Sequence, residues 1–287
     1  MKCEVCPRQC SVYRNKQKGY CKETNKIRIS KVMMHHYEEP IISGSEQDIG
    51  SGAIFFTGCN LGCCFCQNQP ISQGGKGKKI SIKRLIKIIK KLEKQGALNI
   101  NLVTPTHFTN QIIEALKIYK PQIPIVWNSN GYEKADVVEK LKDFVDIYLV
   151  DLKYMSNEIA TKYSKANNYV EHATEAIKQM RKNQPTDVIE NGKMKKGVIV
   201  RHLILPTHTT DSIECLNFIN NNIGDETIVS LMSQYEPMYN AKNFPEINRH
   251  ITPLEYKRVV NHALKLGMTN CYTQDLSSAN TKYTPDF

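Results

Sequence analysis

The run GCNLGCCFCQNQP over residues 58–70 carries Cys59, Cys63 and Cys66 at C-x3-C-x2-C spacing, with Phe65 directly before the last. Three thiolates on one tight loop suit a 4Fe-4S cluster and leave one iron without a protein ligand, an open coordination site for a reagent. Structural zinc takes four closed ligands, and adjacent Cys63 and Cys64 are poorly placed to grip one tetrahedral ion. Cys64 is therefore expected to stand aside.

A second group, Cys3, Cys6, Cys10 and Cys21, is spaced C-x2-C-x3-C-x10-C, with Pro7 and Gly19 supplying turns. Residues 1–23 hold few large apolar side chains, so a metal must stand in for the core this segment lacks. A four-thiolate zinc site and a second Fe-S cluster both fit the spacing. The single C-x2-C knuckle, where zinc usually pairs two, tilts the reading toward an Fe-S cluster able to relay electrons. Cys215 and Cys271 are isolated and read as small hydrophobes. His35, His36, Glu38 and Glu39 read as surface polar residues.

Composition narrows the setting. Ten cysteines in a chain of 287 residues are more than a reducing cytoplasm would use for disulfides, which favours metal ligation. The first twenty residues carry Cys, Arg and Lys where a secretion signal needs an apolar stretch, and no run is long enough for a membrane helix. A cytoplasmic protein with no membrane partner is expected. The net charge of +11 leaves a nucleic-acid partner open, and the densest basic stretch lies over residues 75–94. There Ile82, Leu85, Ile86, Ile88, Ile89 and Leu92 recur at helical spacing without aromatic stacking groups, so its lysines read as a solvated helix face.

The elements that must position these residues alternate. Strands are predicted at Gly52–Thr57, Leu98–Val103, Ile123–Asn128, Val145–Asp151, Val198–Leu205 and Thr227–Met232, with a short one near Asn270–Thr273. Helices are predicted between them at Ser81–Gln95, Thr109–Tyr119, Ala135–Phe144, Tyr169–Lys182, Asp211–Asn221 and Pro253–Leu266. Such alternation marks βα units around a parallel sheet, and 40% hydrophobic content fills a barrel-sized core. Residues 1–50, including a strand-like stretch at Ile27–Tyr37, read as an appended Cys-rich module. Residues 51–287 read as the barrel.

A C-x3-C-x-aromatic-C motif in the loop after the first barrel strand resembles the radical S-adenosylmethionine (SAM) superfamily. Within it the chain is similar to the pyruvate formate-lyase activating enzymes, in particular an activase-like branch with a Cys-rich N-terminus and Cys-Gln-Asn after the cluster. The resemblance covers most of the chain. It implies an α/β fold, a partial (β/α)6 TIM-like barrel with a small N-terminal metal-binding module. It also implies an enzyme in which Cys59, Cys63 and Cys66 hold three irons while SAM chelates the fourth and Phe65 lies near the adenine. Reductive cleavage of SAM then yields a 5′-deoxyadenosyl radical that takes a hydrogen from substrate.

Further cofactor contacts are expected at the other strand ends. Thr104, Pro105, Thr106 and His107 stand where the family has a Gly-Gly-Glu type motif for the SAM amino group. The hydroxyls of Thr104 and Thr106 or backbone carbonyls would replace it, or Thr-Pro-Thr is a turn leading into a helix. Asn128 and Ser129, in Asn-Ser-Asn-Gly, stand where activases have Asp-Thr-Asn-Gly and use the acid near a monovalent cation; an amide is a weaker ligand for a hard cation. Asp151-Leu152-Lys153 matches the family's Asp-Leu-Lys, and Asp151 and Lys153, two apart, share a face. On the fifth strand Arg201 and His202 cannot both face inward, and His202 is favoured for the cofactor. Ser233 to Pro237 would face substrate. The partners implied are a protein substrate, namely a glycyl-radical enzyme or another peptide, and a flavodoxin- or ferredoxin-type reductant, with nucleic acid not expected. Two alternatives are radical modification of another peptide or a small molecule, and an Fe-S redox sensor that binds nucleic acid.

Overall fold

Burial on both faces makes a strand read as a continuous apolar run, and the central strands here do so. The structure is a computed structural model and describes residues 2–224 and 226–274. Its strands are β1 (Arg28–His35), β2 (Ser51–Phe56), β3 (Lys78–Lys79), β4 (Ile100–Val103), β5 (Ile125–Ser129), β6 (Ile147–Asp151), β7 (Val188–Glu190), β8 (Lys193–Leu203), β9 (Ile228–Met232) and β10 (Cys271–Thr273). They form one sheet in the order β10-β9-β8-β6-β5-β4-β2-β1-β3, with β7 attached to β8. From β2 to β10 every neighbouring pair is parallel. β1 and β3 are antiparallel additions at one edge.

The helices are α1 (Pro40–Ser43), α2 (Gln69–Ser72), α3 (Ile82–Lys94), α4 (Thr109–Ile118), α5 (Ala135–Glu139), α6 (Asn157–Ser164), α7 (Tyr169–Asn183), α8 (Thr209–Asn222) and α9 (Pro253–Lys265). In the basic stretch, Ser81 caps α3 by accepting from the Arg84 amide, and Leu85, Ile86, Ile89 and Leu92 are buried. Its lysines are the solvated face. α9 opens on a capping box between Thr252 and Glu255 with Pro253 in its first turn.

Three local features differ from the expectations. α5 ends at Glu139 in a series of turns instead of running to Phe144. α6 was not anticipated: it is short, capped by Ser156 and closed by Lys165 in the left-handed conformation. β8 begins five residues early because Asn191-Gly192, both at positive φ, turn it back on β7 as a hairpin.

Residues 28–43 pack against and into the barrel. β1 pairs with β2 along its length, and the chain then crosses into the barrel interior, where Ile41 and Ile42 of α1 pack with Val126, Ile147, Leu149, Met194, Ile199 and Ile228. Those side chains come from the inward faces of β5, β6, β8 and β9. One rung toward the strand ends the inward residues become polar: Asn101, Asn128, Asp151, Arg201 and Ser230. The barrel is thus apolar at its base and charged beneath its mouth.

Candidate active site

A cavity opens at the C-terminal ends of the parallel strands, where βα barrels build their sites. Strand ends from β2 to β9 contribute to its wall: Cys59, Cys63, Phe65 and Cys66 after β2, Thr104 after β4, Asn128 and Ser129 on β5 with Asn130 after it, Asp151 on β6 with Lys153 after it, Arg201 and Leu203 on β8, and Gln234 to Glu236 after β9. The expected residues Cys59, Cys63, Cys66, Phe65, Thr104, Asn128, Ser129, Asp151, Lys153 and Arg201 therefore share one cavity.

The three thiols have the surroundings of ligands. Cys59 Sγ receives Asn130 Nδ2 at 3.3 Å and the Leu61 amide at 3.4 Å, Ser164 Oγ donates to Cys63 Sγ at 2.9 Å, and Cys66 Sγ lies 3.3 Å from Ser72 Oγ. Donors aimed at sulfur are what a thiolate requires. Burial pushes the Cys59 thiol up to about 12, with Cys63 and Cys66 adding to the rise, and burial pushes Cys66 up to about 11, again with Cys63. Burial disfavours the thiolate, and a bound cluster would supply the positive charge that ionises these thiols. The donor set fits a cluster that takes one thiolate per iron. Cys64 is buried and absent from the cavity wall, its amide donating to the Tyr163 carbonyl.

The strand-end part of the wall is a charged network. Asp151 accepts from Arg201 Nε at 2.9 Å and from Lys153 Nζ at 2.7 Å. Burial by itself would raise the Asp151 carboxyl, but Arg201 and Lys153 outweigh it and hold it below its ordinary value. Arg201 Nη2 donates to Asn128 Oδ1 at 2.7 Å, so the amide at that position is engaged by a fixed guanidinium.

Two expected cofactor residues face elsewhere. His202 is buried on the other face of β8, its Nδ1 2.7 Å from the Leu152 carbonyl, and burial lowers it to about 4, so it is neutral. Strand alternation held, and the inward residue is Arg201, because only that position meets the acids that balance a buried cation. Thr106 is buried away from the cavity and donates to Glu133, which also accepts from Trp127 Nε1 at 3.0 Å. It belongs to a structural cluster behind β5. Thr104, by contrast, lies on the cavity wall at φ 58, a conformation rare for a β-branched residue.

The reading of His35, Glu38 and Glu39 as surface residues is overturned. His35 is 4% exposed and Glu39 8%, and His35, Tyr37 and Glu38 line the cavity. Their strand-like context hid them, since alternation cannot show that the chain turns inward after β1.

The N-terminal segment docks on the cluster loop. Burial pushes the Cys6 thiol up to about 12, and the nearby Cys21, Cys10 and Cys3 thiols add to the rise. Among the described residues no thiol set is drawn in to the spacing of a single bound ion, and all four are free thiols. Arg8 Nε donates to the Asn60 carbonyl at 2.7 Å, its guanidinium centred 3.8 Å from the Tyr20 ring and 5.2 Å from the Tyr132 ring. Gly58, immediately before Cys59, sits at φ +90, and a Cβ there would lie 2.5 Å from the Cys21 carbonyl oxygen. Gly58→Ala is expected to cost about 1–2 kcal/mol in backbone strain alone, or roughly 2–8 °C in Tm, and to speed iron loss from the reconstituted protein. Unchanged melting and cluster lifetime would mean that the two cysteine segments are not packed together here.

Comparison with known proteins accords with this geometry. The radical SAM superfamily model matches residues 53–219, more than half of the chain. The chain belongs to the radical SAM superfamily. An uncharacterized protein of Methanocaldococcus jannaschii is 33% identical over 283 residues, covering 94% of this chain and 76% of that protein. Among solved structures, SuiB of Streptococcus suis bound to S-adenosylmethionine is similar at TM-score 0.50 and 14% identity, over 75% of this chain and 47% of that one. HydG, a maturase of the FeFe hydrogenase, is similar at TM-score 0.50 and 13% identity, over 75% of this chain and 48% of that one. The chain thus spans about half the length of these solved structures, and the likeness is one of fold. Family membership implies a 4Fe-4S cluster and SAM. Among the described residues no helix is long and apolar enough to cross a membrane.

Proposed function

We propose that Cys59, Cys63 and Cys66 hold a 4Fe-4S cluster, that SAM binds between it and the Asp151, Lys153 and Arg201 wall, and that the substrate is a glycine in a protein. The observation that carries this reading is that three half-buried thiols, each with a hydrogen-bonding group beside its sulfur, face the same cavity as that charged wall. When bound, the reduced cluster supplies one electron to the sulfonium of SAM, releasing methionine and a 5′-deoxyadenosyl radical that abstracts hydrogen.

The chain's own residues bind, orient and exclude water. Asp151 is an ionised acceptor for the SAM ammonium, and Arg201 and Lys153 are donors for its carboxylate. Phe65, packed edge-on against Tyr235 at 5.4 Å between centroids, gives the adenine an apolar surface and keeps water from the reacting atoms. Gln234 and Glu236, past the end of β9, face the substrate. A cytoplasmic setting and a flavodoxin- or ferredoxin-type reductant complete the proposal.

A glycyl-radical enzyme deuterated at glycine Cα is the direct test substrate. Deuterium should appear in 5′-deoxyadenosine, with a glycyl radical signal by electron paramagnetic resonance (EPR). Transfer from another residue or a small molecule would replace the activase reading with a different radical modification, the alternative that the departures at Thr104 to His107 and Asn128 leave open.

The N-terminal thiols belong to the same proposal as a second metal site, an Fe-S relay or a structural zinc. Metal analysis of full-length protein should show a second site that disappears when Cys3, Cys6, Cys10 and Cys21 are all replaced. Residues 2–23 should then become protease-sensitive while the barrel stays folded, because ligand bonds replace the core this segment lacks. A chain carrying only the barrel cluster after anaerobic reconstitution, with that segment still protected, would refute both versions.

A further inference from the structure

The barrel floor comes from outside the barrel sequence. After β1 the chain enters the interior, where Ile41 and Ile42 fill the apolar base. Ser43 Oγ lies 3.0 Å from both the His36 and the Glu38 carbonyls, and Asn99 Nδ2 donates to the Ile42 carbonyl at 2.7 Å. The segment is therefore fixed from within and from the strand beside it. Directly above the isoleucines it places Glu38 beneath the cavity, its side chain 8% exposed.

Every oxygen of that carboxylate is committed to a residue of the polar rung. Glu38 Oε2 accepts from Arg201 Nη1 at 2.8 Å, and Oε1 accepts from Asn128 Nδ2 at 2.9 Å and Asn101 Nδ2 at 3.0 Å. Arg201 in turn reaches Asp151 and Asn128 with its other nitrogens. Glu38 thus joins three strands, β4, β5 and β8, at one point. Glu39 stands by with one oxygen 4.0 Å from Arg201 Nη1. A guanidinium released by Glu38 would turn toward Glu39 or pair more fully with Asp151, taking Asp151 from Lys153. Either movement changes the cavity wall without touching a thiol.

We propose that residues 36–44 are a plug that forms the floor of the active site, and that Glu38 is the positioning residue that holds Arg201 and Asn128 in their SAM-binding geometry. The proposal rests on the reading of Arg201 as a SAM contact. It requires a carboxylate at position 38, because the group must accept from three donors at once and balance a buried cation. A glutamine there turns an amide N–H2 toward donors that cannot accept from it, so Glu38→Gln is a change of hydrogen bonding at nearly constant volume.

The test measures SAM affinity of the reconstituted, cluster-bearing protein by equilibrium dialysis, together with the change SAM makes in the EPR spectrum of the reduced cluster. Glu38→Gln should weaken SAM binding at least tenfold and alter the SAM-bound spectrum, while iron content and the SAM-free spectrum stay as in the parent. Arg201→Ala should weaken binding to a similar degree, and the double variant should be no more than about threefold worse than Arg201→Ala alone, since Glu38 acts through Arg201. Glu38→Asp keeps the charge and serves in place of Glu38→Gln should that variant be insoluble. Its shorter reach should still weaken binding, by less than the loss in Arg201→Ala. Normal SAM affinity in Arg201→Ala would remove the site reading itself. Weakened binding in Arg201→Ala with normal binding in a soluble position-38 variant, or losses that multiply in the double variant, would overturn the positioning role alone.

Discussion

Replacing Cys59, Cys63 or Cys66 by alanine should each abolish SAM cleavage, with activity falling to background, whereas Cys64→Ala should retain most of it. The difference follows from where the four sulfurs point. Three face the cavity with a donor at each sulfur, while Cys64 is packed outside the cavity wall with a thiol that burial raises to about 12. Losing one of three ligands leaves an iron with no thiolate and removes one third of the protein's hold on the cluster. The check is deoxyadenosine production by anaerobically reconstituted variants, with iron and sulfide measured on the same samples. If Cys64→Ala were as inactive as the others, the ligand set would be misassigned.

The second large effect is on SAM affinity. Asp151→Ala and Arg201→Ala should each weaken SAM binding while cluster iron content is unchanged. A hydrogen bond to a charged partner contributes about 1.5–3 kcal/mol, which corresponds to roughly ten- to a hundredfold in Kd. The two losses should not add, because Arg201 Nε and Asp151 Oδ1 are 2.9 Å apart and each removal leaves the other's charge buried and partly unpaired. His202→Ala serves as the contrast. Its imidazole is neutral and bonded to the Leu152 carbonyl behind β8, so it should lower stability and leave SAM affinity near that of the parent.

The cluster motif, the order of βα units and the polar strand ends were legible because each depends on local pattern. Cysteine spacing, apolar runs flanked by amphipathic stretches, and the two-residue period that pairs Asp151 with Lys153 are all short-range signals. The choice between Arg201 and His202 was not of that kind. Alternation shows that one of them faces inward, but which one depends on acids contributed by β6 and by the segment after β1. Glu38 was hidden for the same reason. It stands 163 positions from the arginine it binds, in a stretch that alternates like an edge strand before turning into the barrel. The Asn191-Gly192 hairpin was legible in principle, since that dipeptide is a strong turn signal between strands.

The central claim is that this cavity joins a cluster to SAM and cleaves it reductively. The protein, reconstituted anaerobically to a full barrel cluster and reduced in the presence of SAM, should yield methionine and 5′-deoxyadenosine in equal amounts. Iron-replete, reduced protein that binds SAM yet forms no 5′-deoxyadenosine would contradict the account.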